Sequence, residues 1–300
     1  MRPADLLALY QNDPRSHALA QLLEQETAAK IELKGIVGSA TAIAAAGLML
    51  QDFEASKEVA NSHPKSHLFI LDDKESAAYF VNDLEQLVAG RLPILFFPRS
   101  ARVPYQEEVT ENANIAQRAE VLNEINARRK GLVIVTFPEA LAEQVISRQE
   151  LSEQTFTISP GESYTMDFID EVFIEYGFHK VDFVYEPGTY AVRGGIVDVF
   201  SFAFDHPFRV EFFGDEVESI RKFDPTTQLS VNKMTRAVIV PNVGDKTLHE
   251  NVEPLFSFMP TDTVIWMGDA ERCKKGLEKA MERAESAYNR RSGHIKFTPP

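Results

Sequence analysis

The sequence predicts an α/β chain, a parallel-sheet domain interrupted by an α+β insert whose sheet is antiparallel. Three observations carry this. From residue 30 to about 150, short apolar runs alternate with helical stretches, the pattern of βαβ units. After about residue 154 the runs become strands parted by Gly and Pro turns. From residue 243 the helix–strand alternation resumes. The expected boundaries are a helical extension over 1–29, the α/β domain over 30–153, the insert over 154–242, and the second part of the α/β domain over 243–300.

Taken in order, "MRPADLLALYQNDPRSHALAQLLEQ" reads as two short helices. Asp5, Asn12, Asp13 and Pro14 break its apolar residues, so it is no signal peptide. "KIELKGIV", "HLFILDD", "LPILFFP" and "GLVIVTF" read as strands. Their continuous apolar character suits a sheet covered on both faces. Helices are expected over Ala40–Gln51, Lys74–Val88, Ile115–Arg129 and Glu139–Ser147. In the insert, "TFTIS" is a strand, and "SYTMDFIDEVFIEYG" is a helix with Phe168, Val172 and Tyr176 on one face, closed by Gly177. The strands "KVDFVY", "YAVRGGIVDVFS", "FRVEFF" and "EVESIRKF" follow, with turns at Glu186-Pro187-Gly188 and Gly214-Asp215, and "TRAVIVP" leads out. "TDTVIWMG" reads as a buried strand and "AERCKKGLEKAMERAESAYNRRS" as a long charged helix. The closing "HIKFTPP" supplies no finishing element, so the chain reads as a piece of something longer.

Composition narrows the function classes. The net charge of −14 disfavours broad, sequence-independent nucleic-acid binding, which needs clustered cations. A single cysteine, Cys273, rules out a disulfide framework and points to a reducing, cytoplasmic setting. No apolar run is long enough for a membrane helix. His63 and His67 are the only close histidine pair, and Pro64 between them argues against a helical metal site. No metal and no cofactor is expected.

Where a nucleotide enzyme would carry its phosphate loop, this chain has "LKGIVGSATAIAAAGLML". The motif G-x-x-x-x-G-K-[ST] needs glycines around the phosphates, a lysine, and a hydroxyl for Mg²⁺. Gly35 takes the first glycine position, and Gly38 and Ser39 fall inside the loop. Ala40, Thr41 and Ala42 then occupy the second glycine, the lysine and the hydroxyl positions. The expected topology is a strand, a turn and a helix capped by Ser39, without the chemistry of nucleotide binding.

The most informative stretch is Tyr185–Ser230. In "PFRVEFFGDE" strand alternation sends Phe208, Val210 and Phe212 to the core and places Arg209, Glu211 and Phe213 on the other face. Phe and Arg together on an open face mark an interface. The competing reading tucks Phe213 under a loop and leaves Arg209 and Glu211 a solvated pair. In "AVRGGIVDVF" the double glycine reads as a bulge that aims Arg193 at the same face, or as a bend serving sheet curvature.

"G-x-Y-A-V-R-G-G-I-V-D-V-F" followed by "P-x-R-V-E-F-F-G-D-E-V-E-S-I-R-x-F-D-P-x-T-Q-x-S" resembles the UvrB-homology module of bacterial transcription-repair coupling factors, and more loosely UvrB itself. The resemblance is dense over this stretch and thin elsewhere, in "NIAQRAEVLNEI" and "VIVTFPEALAEQV". It implies a degenerate helicase-like domain of the P-loop type, interrupted by an insert that docks UvrA. The positions it implicates in docking match Arg193, Arg209 and Phe213, with Glu211 between the last two. Gly268 and Asp269 in "TVIWMGDAERC" stand where UvrB carries an Asp-Glu metal pair, and no aromatic DNA-inserting hairpin is found. The implied role is a non-catalytic adaptor that recruits UvrA to begin nucleotide excision repair at stalled RNA polymerase. The motor, the RNA-polymerase contact and the DNA contact of such a factor would lie beyond residue 300. Two alternatives stand beside it. One is a UvrB-like ATP-dependent helicase subunit, which would need a lysine at Thr41 and a carboxylate at Gly268. The other is an autoinhibitory domain in intramolecular contact with the parent's C-terminal domains.

Overall fold

The computed structural model describes residues 3–24, 30–59, 63–100, 112–127, 130–244 and 250–290. Two helices open the chain, α1 (Pro3–Gln11) and α2 (Pro14–Glu24), followed by α3 (Ala40–Glu58), β1 (His67–Ile70), α4 (Lys74–Val88) and β2 (Ile94–Phe96). Next come α5 (Asn112–Asn126), β3 (Val133–Thr136), α6 (Pro138–Leu141), β4 (Val145–Ile146), α7 (Arg148–Gln154) and β5 (Phe156–Ile158). The insert holds α8 (Met166–Glu175), β6 (His179–Lys180), β7 (Thr189–Arg193), β8 (Ile196–Phe200), β9 (Phe208–Phe213), β10 (Glu216–Phe223), β11 (Ser230–Met234) and β12 (Ala237–Ile239). The chain then forms β13 (Val252–Glu253), α9 (Leu255–Phe258), β14 (Val264–Met267) and α10 (Ala270–Arg290).

The described residues pack into two compact units, one drawn from 1–97, 128–139 and 259–280, the other from 98–127, 140–258 and 281–300. The first unit is built on a four-stranded parallel sheet in the order β14-β1-β3-β2. Its apolar strands need cover on both faces, and Phe80 of α4 supplies some, packing at 4.9 Å on Phe69, which stacks on Trp266 at 5.2 Å. Trp266 donates its indole N–H to His67 Nδ1 at 2.9 Å, which fixes that ring as the Nε2–H tautomer.

Several sequence expectations change here. "KIELKGIV" forms no strand. Gly35 sits at φ 76°, which breaks extended backbone, and both sides of β1 are already paired, to β14 and β3. "TDTVIWMG" is an outer strand rather than a buried one, and Ile265 and Met267 are each 53% exposed. The helix expected over Glu139–Ser147 stops at Leu141, because Val145 and Ile146 instead pair antiparallel with β13. Ser147 then caps α7 by accepting from the Glu150 N–H.

In the second unit the insert is a six-stranded sheet, β11-β10-β9-β8-β7-β6, antiparallel except at β6–β7. Its inward face carries Tyr190, Val197, Val199, Phe208, Val210, Phe212 and Ile220, all buried. Helix α8 meets this face through Phe173, whose ring stands edge-on to Tyr190 at 5.0 Å. The buried positions of α8 are Ile169 and Phe173, not the expected Phe168, Val172, Tyr176 row. Phe168 instead joins Tyr164 and Phe156 in a half-exposed aromatic cluster, so three aromatic rings satisfy one another away from the core. The chain enters and leaves the insert through β5 and β12, which pair antiparallel from Phe156↔Ile239 to Ile158↔Ala237.

Candidate functional site

The second face of the insert sheet is built by strand register. Residues directly opposite in an antiparallel pair share a face. Asp198 of β8 lies opposite Arg209 of β9, which lies opposite Arg221 of β10. One step along, Arg193, Ile196, Glu211 and Ser219 form the next row. Beyond them, at the hairpin end, Phe213 faces Glu216. Strand alternation therefore divides β9 as expected, with Phe208, Val210 and Phe212 inward and Arg209, Glu211 and Phe213 outward. Phe213 is 81% exposed, which excludes the tucked-in alternative.

The double glycine is neither bulge nor bend. Gly194 and Gly195 are the two-residue turn joining β7 to β8, with Arg193 opposite Ile196 and Gly194 at φ 59°. The close backbone approach is real, since the Phe212 N–H donates to the Gly195 carbonyl at 2.7 Å. A Cβ on Gly195 would stand 2.8 Å from the Phe212 carbonyl oxygen. Arg193 reaches the open face as the last residue of its strand, not by a re-aimed bulge.

Asp198 is wholly buried, and both arginines converge on it. Arg209 grips it with two bonds, Nε to Oδ1 at 2.7 Å and Nη2 to Oδ2 at 2.9 Å. Arg193 donates Nη2 to the same Oδ2 and Nη1 to the Asp182 carbonyl at 2.5 Å. Arg209 also lies over the Phe223 ring at 4.6 Å and donates to the Gln228 carbonyl at 3.3 Å. Its side chain is only 18% exposed, whereas that of Arg193 is 38% exposed. The hydrogen bonds that Arg209 donates to Asp198 raise the Arg209 pKa, so that guanidinium is permanently charged. Glu211 accepts from Ser219 Oγ at 2.5 Å and lies 3.5 Å from Arg221. Arg209 lies on the expected face but is mostly covered there. Arg209 spends its fork inside the chain, because a carboxylate buried in β8 requires it.

Asp198 escaped the sequence reading, although a charged residue inside the apolar run "IVDVF" is the signal that finds it. A buried carboxylate needs a cation, and Arg209 lies directly opposite it on β9 while Arg193 lies one row along on β7.

The stretch around Gly35 is irregular and turns into α3. Gly35 and Gly38 both take positive φ, 76° and 58°. Ser39 precedes α3 but already has helical backbone angles and makes no capping bond, so the expected cap is absent. The Ala40 and Thr41 N–H groups donate to the Val37 and Gly38 carbonyls at 3.3 and 3.4 Å. Ala42 is buried against the fold. At the end of β14, a Cβ on Gly268 would stand 2.6 Å from an Asp72 carboxylate oxygen, and that oxygen accepts the Asp269 N–H at 3.0 Å.

Residues 156–244 match the UvrB interaction domain. That match begins at β5 and runs just past β12, so it includes Arg193, Arg209, Glu211 and Phe213. The chain is also similar to the transcription-repair-coupling factor of Myxococcus xanthus, 29% identical over 56% of this chain and 14% of that protein. The Bacillus subtilis transcription-repair-coupling factor is 27% identical over 70% of this chain and 17% of its own length. UvrABC system protein B of Streptococcus uberis is 31% identical over 36% of this chain and 16% of that protein. The chain therefore spans about a sixth of the length of these relatives. No helix among the described residues is long and apolar enough to cross a membrane.

Proposed function

We propose that this chain is the UvrA-recruiting adaptor region of a transcription-repair coupling factor, bringing UvrA to stalled RNA polymerase to start nucleotide excision repair. The observation that carries the reading is the coincidence of the UvrB interaction domain match with a sheet face presenting Phe213 beside a clamped arginine pair. An exposed aromatic next to arginine is the composition of interface hot spots. Phe213 is the anchor, Arg193 supplies the accessible charge, Arg209 holds the frame and Glu211 sets the local polarity. The division into a helical extension over 1–29, a helicase-like α/β domain over 30–153 and 243–300, and an insert over 154–242 belongs to this proposal. So do the RNA polymerase, DNA and intramolecular contacts of a longer parent.

The region itself is proposed to be non-catalytic. The N–H groups of Ala40 and Thr41 are already bonded within the turn, and Thr41 brings no lysine charge. A side chain at Gly268 would have to displace the Asp72 carboxylate, and Gly268 itself brings no carboxylate. These features favour the adaptor over the ATPase alternative. Titration with Mg-ATP should give no saturable heat, and a micromolar dissociation constant would reinstate the enzyme reading. UvrA should bind the wild-type chain, and Phe213→Ala should cost about 2 kcal/mol of that binding with an unchanged melting temperature. Wild-type binding that Phe213→Ala leaves intact would sink the docking assignment.

A further inference from the structure

We propose that the docking face extends from the arginines onto an aromatic shelf formed by Phe183 and Tyr185, and that this extension receives an acidic side chain of UvrA flanked by apolar ones. The inference rests on the UvrA reading above and specifies the chemistry of its partner. Phe183 and Tyr185 are 54% and 60% exposed, with ring centroids 6.4 Å apart. Between them Val184 is fully buried, packed with Ala191, Phe200 and Phe223 on the same side of the sheet as the clamp.

The backbone of this segment is tied at two points. The Asp182 carbonyl accepts from Arg193, and the Val184 carbonyl accepts from Gln228 Nε2 at 3.1 Å. Gln228 in turn accepts from Arg209 through its own carbonyl. The shelf is therefore bolted to both arginines. Two aromatic rings held outward by a pegged backbone lose little freedom on docking. Arg193 closes the shelf at its inner end, with its guanidinium 5.3 Å from the centre of the Phe183 ring.

Charge supplies the partner's chemistry. Two guanidiniums share the one carboxylate of Asp198. Arg193 is the more exposed of the two, and its guanidinium has N–H donors beyond the two bonded to Asp198 and to the Asp182 carbonyl. Asp182 and Glu186 on the same segment are exposed, and Arg193 donates to Asp198 and to the Asp182 carbonyl oxygen. A carboxylate arriving over Phe183 would pair with Arg193, while its apolar neighbours covered the two rings.

The test titrates UvrA against the whole chain and its variants. Phe183→Ala/Tyr185→Ala should weaken binding at least tenfold with the melting temperature unchanged, and Phe213→Ala should weaken it as well. Loss with Phe213→Ala but wild-type affinity for the shelf variant overturns the extension and leaves the docking reading standing. A wild-type chain that does not bind UvrA removes both. Should the double variant melt early, Tyr185→Ser at the outer end of the shelf carries the same test. Added salt should weaken wild-type binding more steeply than binding by Arg193→Gln, and equal salt slopes overturn the acidic partner. A dimer of the free chain that the shelf substitutions dissolve would assign the shelf to a second copy and overturn the proposal.

Discussion

One buried carboxylate serving two guanidiniums makes Asp198 the residue on which the face depends. Asp198→Asn removes the charge and leaves two cations close together, so it should cost about 2 kcal/mol or more of stability and weaken UvrA binding at the same time. Arg209→Ala should act likewise, losing about 1–3 kcal/mol of stability because Asp198 keeps only Arg193. Phe213→Ala should lower binding alone. Thermal melts alongside UvrA titrations separate the classes, and equal melting temperatures for Arg209→Ala and wild type would show that the clamp does not hold. Phe213 and its outward face were legible in the sequence, because alternation along one strand decides it. The clamp was not, because it depends on which strands become neighbours. His67 gives a second residue-scale test. Burial, with Lys65 nearby as a lesser cause, lowers its pKa from 6.5 to about 3. The unfolded chain then takes up the proton first as pH falls, so stability is full above pH 6.5 and is lost progressively toward pH 3. At pH 5 the loss is about 2 kcal/mol. His67→Gln should flatten that part of the melting-temperature profile. Parallel profiles for the two proteins would mean His67 is not held neutral.

Among the elements, the Gly214-Asp215 hairpin of the insert follows most directly from sequence, and the Gly194-Gly195 hairpin does not. Gly194-Gly195 and Gly214-Asp215 each join strands over two residues, with Gly194 and Gly214 at positive φ. What sequence could not distinguish was a turn from a bulge at the double glycine, since both need the same residues and only pairing separates them. Gly195 is required for a further reason, the Phe212 carbonyl directly above it. Gly195→Ala should cost about 1–3 kcal/mol through backbone displacement, read as a lower melting temperature. A neutral outcome would show that β8 and β9 can part there without loss. Helix α8 shows the opposite limit. Its apolar row was plain in the sequence, yet Phe168 left the core because Tyr164 offered it a stack and Phe156 an edge-on contact outside. Hydrophobic periodicity finds a helix more reliably than it finds which side faces in when aromatic residues crowd both sides.

At the scale of the molecule, alternation of strand and helix made the parallel sheet legible, and the later run of turn-parted strands made the antiparallel sheet legible. The missing strand before α3 was not legible, because its apolar residues fit a strand and only the occupied sides of β1 exclude it. A chain spanning residues 154–244 should melt cooperatively and bind UvrA, since its sheet, helix α8 and closing β5–β12 pair all lie within it. A broad, non-cooperative melt would show that residues outside this span supply part of its core.

The β5–β12 pair also fixes how far apart the two ends of the insert are. Paired strands lie about 5 Å apart, so the insert begins and finishes at nearly the same point in space. To its host it occupies the footprint of a short hairpin loop. Such a module can be lifted from one scaffold and spliced into a surface loop of another without stretching either backbone. Gene rearrangement could therefore carry the insert between unrelated scaffolds in a single recombination event, and a protein engineer could repeat the transfer with one cassette.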